Sequence, residues 1–194
     1  MTDRGRAPQT GEVKPEPAVA AVERPSFRAL FLAHASYVAN SLRRLGVRER
    51  DLEDVTHDVF ILVYRQLENF DPTRPVKPWL FGFAAKTALA YRRRAGYARE
   101  TLSERIDGID QGLAADEQIA AQEKRDLVVA ALASVQEERR PVLVMHDIDG
   151  IAMPDIVAVL EIPLNTGYSR LRLARAEFAQ AVQRIRARRR AVHD

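Results

Sequence analysis

From about residue 26 onward, apolar positions recur at spacings of three and four, and Val/Ile/Thr-rich runs of alternating polarity are missing. That period is helical and predicts an all-α chain. Ser26 is placed to cap a helix that runs through Leu45, with Gly46 where a helix can end in left-handed backbone. A second helix is predicted from about Glu49 to Leu67, its acidic start lying at the positive end of the helix dipole. A loop with prolines at 72, 75 and 78 follows. Pro78 suits the first turn of a third helix, through Trp79 to about Tyr97. Beyond a polar, acidic stretch containing Gly108 and Gly112, helices are predicted at about Ile119–Val135, from Glu137 or Arg140 to Ile148, at Pro154–Leu160, and at about Asn165–Arg188. Asp149-Gly150 ends the second of these, and Glu161–Leu164 forms a turn before the last. The expected organisation is a flexible N-terminal tail (1–25), two small helical domains (26–97 and 119–190) and a flexible linker between them (98–118).

Within these elements two faces stand out. On the last helix Leu171, Ala174, Phe178, Val182 and Ile185 form one stripe, suited to a core. Opposite lie Asn165, Thr166, Ser169, Arg172, Leu173 and Ala176, flanked by Arg170 and Arg175. A short helix, a tight turn and a longer basic helix make the helix-turn-helix pattern, whose second helix can enter a major groove. Arg172 could meet a guanine edge and Ser169 or Asn165 other bases, while Arg170 and Arg175 reach phosphates. A bundle helix with solvated charges fits the same residues. On the second helix Leu52, Val55, Val59, Leu62 and Val63 suffice for a core, yet Ile61 and Tyr64 lie opposite with Glu53, Asp54 and His57, and Phe60 beside them. Such a surplus points to a protein-docking face or to a more completely buried helix.

Charge sharpens the first of these faces. The net charge is only +3, but residues 165–190 hold eight arginines against one glutamate, whereas residues 100–126 hold eight acids against three bases. A basic block on a mildly acidic chain reads as a polyanion-binding surface or as a solvated helix end. In the third helix, aromatics precede Arg92-Arg93-Arg94, a pairing suited to single-stranded nucleic acid, although Trp79 itself is expected in the core.

Other chemistry is sparse. The sequence has no cysteine, which excludes disulfides, thiolate metal sites and cysteine nucleophiles. His34, His57, His146 and His193 are scattered, with no HExxH, no Gly-rich phosphate loop and no Ser-His-Asp set. No catalytic residue, metal or cofactor is expected. No apolar run reaches the roughly 18–20 residues of a membrane span, and the N-terminus lacks the apolar segment of a signal peptide, so a cytoplasmic, non-membrane protein is expected.

These features together resemble the sigma-70 family, specifically its small extracytoplasmic-function (ECF) group, over about 26–97 and 119–185. Asp51-Leu-Glu-Asp-Val-Thr-His-Asp-Val-Phe60 resembles the region that grips the polymerase clamp. Pro78-Trp-Leu-Phe-Gly-Phe-Ala-Ala85 resembles the family's tryptophan-leucine helix, and Asn165-Thr-Gly-Tyr-Ser-Arg-Leu-Arg172 with Ala174-Arg175 its recognition helix. The resemblance implies a non-catalytic specificity subunit of RNA polymerase that reads promoter −35 and −10 elements and promotes strand opening. Asp54, His57, Asp58 and Ile61 would face the clamp helices of the largest catalytic subunit. The loop at Asp71–Lys77, with Arg74, would hold a base flipped from the −10 strand, and Lys86, Arg92, Arg93 and Arg94 would meet its phosphates. Asn165, Thr166, Tyr168, Ser169, Arg170, Arg172 and Arg175 would contact the −35 duplex. The implied partners are core RNA polymerase, promoter DNA and an anti-sigma factor. Against the family's common pattern, Lys86 replaces asparagine, Ala90 aspartate and His57 glutamine. Gly167 replaces a valine, and Met153 stands where a Ser or Thr cap is common. A DNA-binding regulator that never touches polymerase is the main rival, and it leaves the surplus apolar face of the second helix unexplained.

Overall fold

The computed structural model describes residues 24–94 and 115–193. The tail up to residue 23 and most of the expected linker lie outside them. Seven helices make up the described chain, with no strand among them: α1 (Phe27–Arg44), α2 (Leu52–Gln66), α3 (Val76–Arg94), α4 (Ala115–Ala133), α5 (Arg140–Leu143), α6 (Met153–Leu160) and α7 (Leu164–His193). Short 3₁₀ turns bracket α2, and a π-helical turn, Val144–Ile148, continues α5.

The helix boundaries follow local chemistry. Ser26 accepts a hydrogen bond from the Ala29 N–H at 3.2 Å, and Gly46 closes α1 at φ 95°. α3 begins two residues before Pro78, which stays within its first turn. α4 begins at Ala115, inside the segment expected to be linker. α7 continues through the arginine-rich end to His193.

α1, α2 and α3 pack on Val38, Leu42, Val55, Val59, Val63, Leu80, Phe81 and Ala84, all essentially inaccessible to solvent. In the second unit, Leu132, Val135, Val142–Met145, Ile156, Leu171 and Ala174 do the same. The two cores are continuous. α1 and α3 of the first unit contact α4 and α6 of the second directly.

The join between units is specific. Arg140 is only 3% exposed, and its guanidinium donates to Leu45 O at the end of α1 (3.1 Å), Ala133 O (3.0 Å) and Val135 O (2.9 Å). Carbonyls at helix C-termini have no partner within the helix and carry the negative end of its dipole, so one buried cation satisfies both helix ends. Gly46 makes room for it, since a Cβ there would sit 2.8 Å from the guanidinium. Gly82 of α3 similarly receives Val159 of α6. At the far edge of the join, Tyr37 Oη donates to Asp149 Oδ2 at 2.9 Å and Arg44 to Oδ1 at 3.0 Å. Burial between the units raises the Asp149 pKa despite both donors, and it raises the Tyr37 hydroxyl as well.

Candidate nucleic-acid and protein interfaces

α2 presents Asp54, His57, Asp58 and Ile61 to solvent, as expected of a docking face. Two assignments on this helix change places. Phe60 is 2% exposed, its ring 4.8 Å from Phe31 and 6.3 Å from Phe27, whereas Leu62, expected in the core, is 37% exposed. The cause is α1, whose first turns cover Phe60 and leave the flank carrying Leu62 open. α1 also extends the apolar face in a way the residue pattern of α2 could not show. Phe31 and Leu32 are exposed, Leu32 at 71%, and Tyr64 stacks edge-on against Phe27 at 5.2 Å while remaining 65% exposed. A signal existed: Leu30, Phe31 and Leu32 are consecutive, and residues 100° apart on a helix cannot all face one core.

The residues proposed for single-stranded DNA spread along α3 and the loop before it. Asp71 receives the Thr73 N–H (3.0 Å) and hydroxyl (2.6 Å), which fixes the loop as a tight turn and lowers the carboxyl's pKa. Arg74 lies beside it, exposed. Lys77 sits over the Tyr37 ring at 5.6 Å. Lys86 pairs with Glu161 of the second unit at 3.0 Å, and Arg92 lies half-buried, 3.9 Å from Glu137. Arg93 and Arg94 are exposed. At the helical rise, Lys77 and Arg94 stand roughly 25 Å apart along α3, so these cations form a track along the helix. Trp79 is half-buried, between Phe70 (4.6 Å) and Phe83 (5.1 Å). Between the units, Ala85, Lys86, Leu89, Arg92, Arg93 and Arg170 help line a groove of about 290 Å³.

On α7 the inward stripe is as expected in part: Leu171 and Ala174 are buried, and Phe178, Val182 and Ile185 half-buried. Asn165, Ser169 and Arg172 are exposed, as is Tyr168 at 53%, and Thr166 is half-buried. Asn165, Thr166, Ser169 and Arg170 share one shallow depression with Glu138 and Arg139. The two flanking arginines are held. Arg170 lies 3.8 Å from Glu138, and Arg175 donates to both oxygens of Asp147 at 2.7 and 2.8 Å. Those hydrogen bonds hold the Asp147 carboxyl below the usual carboxylate range. Arg139, absent from the sequence-based candidates, reaches the depression while bonded to Glu177. Nothing in its sequence neighbourhood distinguishes it from Arg140, which is buried.

Met153 corrects a second expectation. The cap of α6 is Ala152, in extended backbone without a side-chain cap bond; Met153 is the first helical residue and is buried. The turn between α6 and α7 contains Glu161 at φ 55°, ψ 44°, a left-handed conformation unusual for a residue with a side chain. Among the described residues there is no group of His, Asp and Glu suited to a metal and no helix long and apolar enough to cross a membrane.

Residues 30–97 match the family Sigma-70 region 2. Over 164 residues the chain is 30% identical to the RNA polymerase sigma factor CnrH of Cupriavidus metallidurans, covering 79% of this chain and 85% of that one. A solved structure of CnrH in complex with the cytosolic domain of CnrY is similar with a TM-score of 0.59 and 25% identity, covering 81% of this chain and 87% of that one. The sigma factor RpoE of Bartonella quintana, solved in complex with the anti-sigma factor NepR, shares the fold with a TM-score of 0.62 at 17% identity, covering 81% of this chain and 96% of that one.

Proposed function

The chain belongs to the ECF group of the sigma-70 family and is a sigma factor of transcription initiation, and on that footing we propose how its surfaces divide the work. Core RNA polymerase docks on α2, with Asp54, His57, Asp58 and Ile61 against the clamp helices of the largest catalytic subunit. The −35 duplex is read by Asn165, Thr166, Tyr168, Ser169 and Arg172, with Arg170 and Arg175 at phosphates. The −10 strand follows Asp71, Arg74, Lys77, Lys86 and Arg92–Arg94, and its capture promotes opening. The chain contributes no catalytic group and acts in the cytoplasm beside the polymerase.

One observation carries this reading. A single chain exposes an apolar face edged with carboxylates on α2 and a polar, arginine-bearing face on α7. The first suits a protein and the second a polyanion. Removal of a base from the stack costs a few kcal/mol, which its capture in a pocket can offset.

The two DNA elements lie roughly 25 base pairs apart, about 85 Å of duplex. A packed chain of this size has a radius of gyration of about 16 Å, so the two units must part to read both. The Arg140 and Asp149 contacts would then be broken at the expense of polymerase and DNA contacts. An anti-sigma factor, the partner named for the Bartonella structure, would oppose this step by holding both units.

Run-off transcription with purified core polymerase, followed by sequencing of start sites, tests the reading. Promoter-dependent, salt-sensitive initiation is expected. No binding to core would overturn it.

A further inference from the structure

Gly167 lies in the first turns of α7 and is buried against α6. A Cβ built on it would stand 2.6 Å from Val157 Cγ1 and 2.8 Å from Met153 Sδ. Both distances are far inside van der Waals contact, so the two helices approach more closely than a side chain at 167 permits. The backbone does not require glycine here, since its φ is not positive, and glycine within a helix costs about 1 kcal/mol relative to alanine. Close approach is what remains to explain the residue.

Its counterpart is equally specific. Met153 is 3% exposed, and its flexible thioether occupies the notch that Gly167 leaves. Val157 is stiff, because a β-branched side chain in a helix has one strongly preferred rotamer. Met153 can yield to an added methyl, but Val157 cannot do so without moving α6. Gly167 and Met153, each of which looks unfavourable when taken separately, therefore form one contact.

The contact has a consequence at the DNA-facing surface. Asn165, Thr166 and Ser169 leave α7 from the turns that contain Gly167, and hydrogen bonds to base edges tolerate only a few tenths of an ångström. We propose that Gly167, seated on Val157 and Met153, is a positioning residue that sets the height and tilt of the recognition helix and so helps choose the −35 sequence without touching DNA. This rests on the sigma-factor reading above.

The test uses the full chain with core polymerase on two templates: a duplex promoter with both elements, and the same promoter pre-melted at −10 with its −35 element scrambled. Gly167→Ala is expected to lower initiation on the duplex roughly tenfold, as losing one well-made base contact does. It should initiate like the unaltered chain on the pre-melted template. Adding Val157→Ala, which removes the obstructing methyl, should restore most of the duplex activity and the −35 preference selected from a randomised pool. A merely structural role would lower both templates together and leave the selected sequence unchanged.

If Gly167→Ala loses its helical signal, Val157→Ile crowds the same notch from α6 with α7 intact; an unchanged −35 preference there overturns the inference. It is also overturned if Gly167→Ala initiates normally on the duplex, or if Val157→Ala restores nothing. Failure of the unaltered chain to initiate with core overturns the sigma-factor reading, and the inference with it.

Discussion

The two helical units differ in what they leave uncovered. The first exposes Phe31, Leu32, Ile61, Leu62 and Tyr64 across neighbouring turns of α1 and α2, with acids at the margin. Among the described residues, the second exposes isolated large apolar side chains, Ile148, Leu164 and Tyr168, between polar and basic ones. An apolar patch on a small unit gains free energy only when a partner removes it from water. A cationic helix gains by releasing counterions from a phosphate backbone and needs little apolar area. The same helical architecture thus offers one surface whose binding should weaken modestly with salt, through the acids at its margin, and another whose binding should be steeply sensitive to it.

The largest effect is expected at Arg140, where the units cease to be separate. Arg140→Ala removes the donor from Leu45 O, Ala133 O and Val135 O and leaves a void behind. Buried carbonyls stripped of a charged donor should cost about 3–5 kcal/mol in total, a fall in melting temperature of roughly 10 °C for a chain of this size. Trp79 lies in the first unit, so its near-ultraviolet signal can be compared with total helix content. The unaltered chain should melt in one step by both probes, whereas Arg140→Ala should separate them. Coincident transitions in the variant would mean that the shared core alone couples the units.

A middle-sized effect sharpens the contrast between the faces. Asp58→Arg reverses charge on the exposed edge of α2 and should weaken assembly with core polymerase on the order of tenfold, with no change in binding to a −35 duplex. Arg172→Ala should do the reverse, weakening −35 discrimination by about 1–3 kcal/mol while core affinity holds. Filter binding to each partner separates the two. If either variant affects both partners equally, the division of labour between α2 and α7 fails.

These faces were legible in the sequence to different degrees, for a physical reason. The helices and the stripe of α7 follow from period, because α4, α5 and α6 pack against α7 yet leave the face with Ser169, Arg172 and Ala176 exposed. α2 has neighbours on more than one side, so its own period could not decide between Phe60 and Leu62; α1 decided it. Arg140 was invisible because an arginine reads as surface until something aligns helix-end carbonyls around it, and those come from α1 and α4, far apart in sequence. Arg170 and Arg175 are where the pattern put them, yet Glu138 and Asp147 occupy their guanidinium groups. A wheel gives direction but not partners. Gly167 and Met153 could be judged only together, once α6 lay on α7.

The smallest expected effect lies at Glu161, at an exposed edge of the join. Its left-handed backbone should cost about 1 kcal/mol relative to glycine. Its carboxylate meets Lys86 in a pair exposed at 74% and 70%, a geometry that contributes little. Glu161→Gly relieves the strain and gives up the pair, so the two changes oppose each other. Strain is the larger, and the melting temperature should rise by roughly 1–2 °C. Glu161→Gln keeps the strained backbone while removing the charge, so it should leave stability level or slightly lower. Both variants free Lys86, and both should bind a −10 single strand slightly more tightly at low salt, an advantage that fades as salt screens the phosphates. A rise in stability shared by both variants would show that the Lys86 pair is unfavourable and that the turn is not strained. A gain in strand binding confined to Glu161→Gly would place the effect in the backbone of the turn and remove Lys86 from the −10 track.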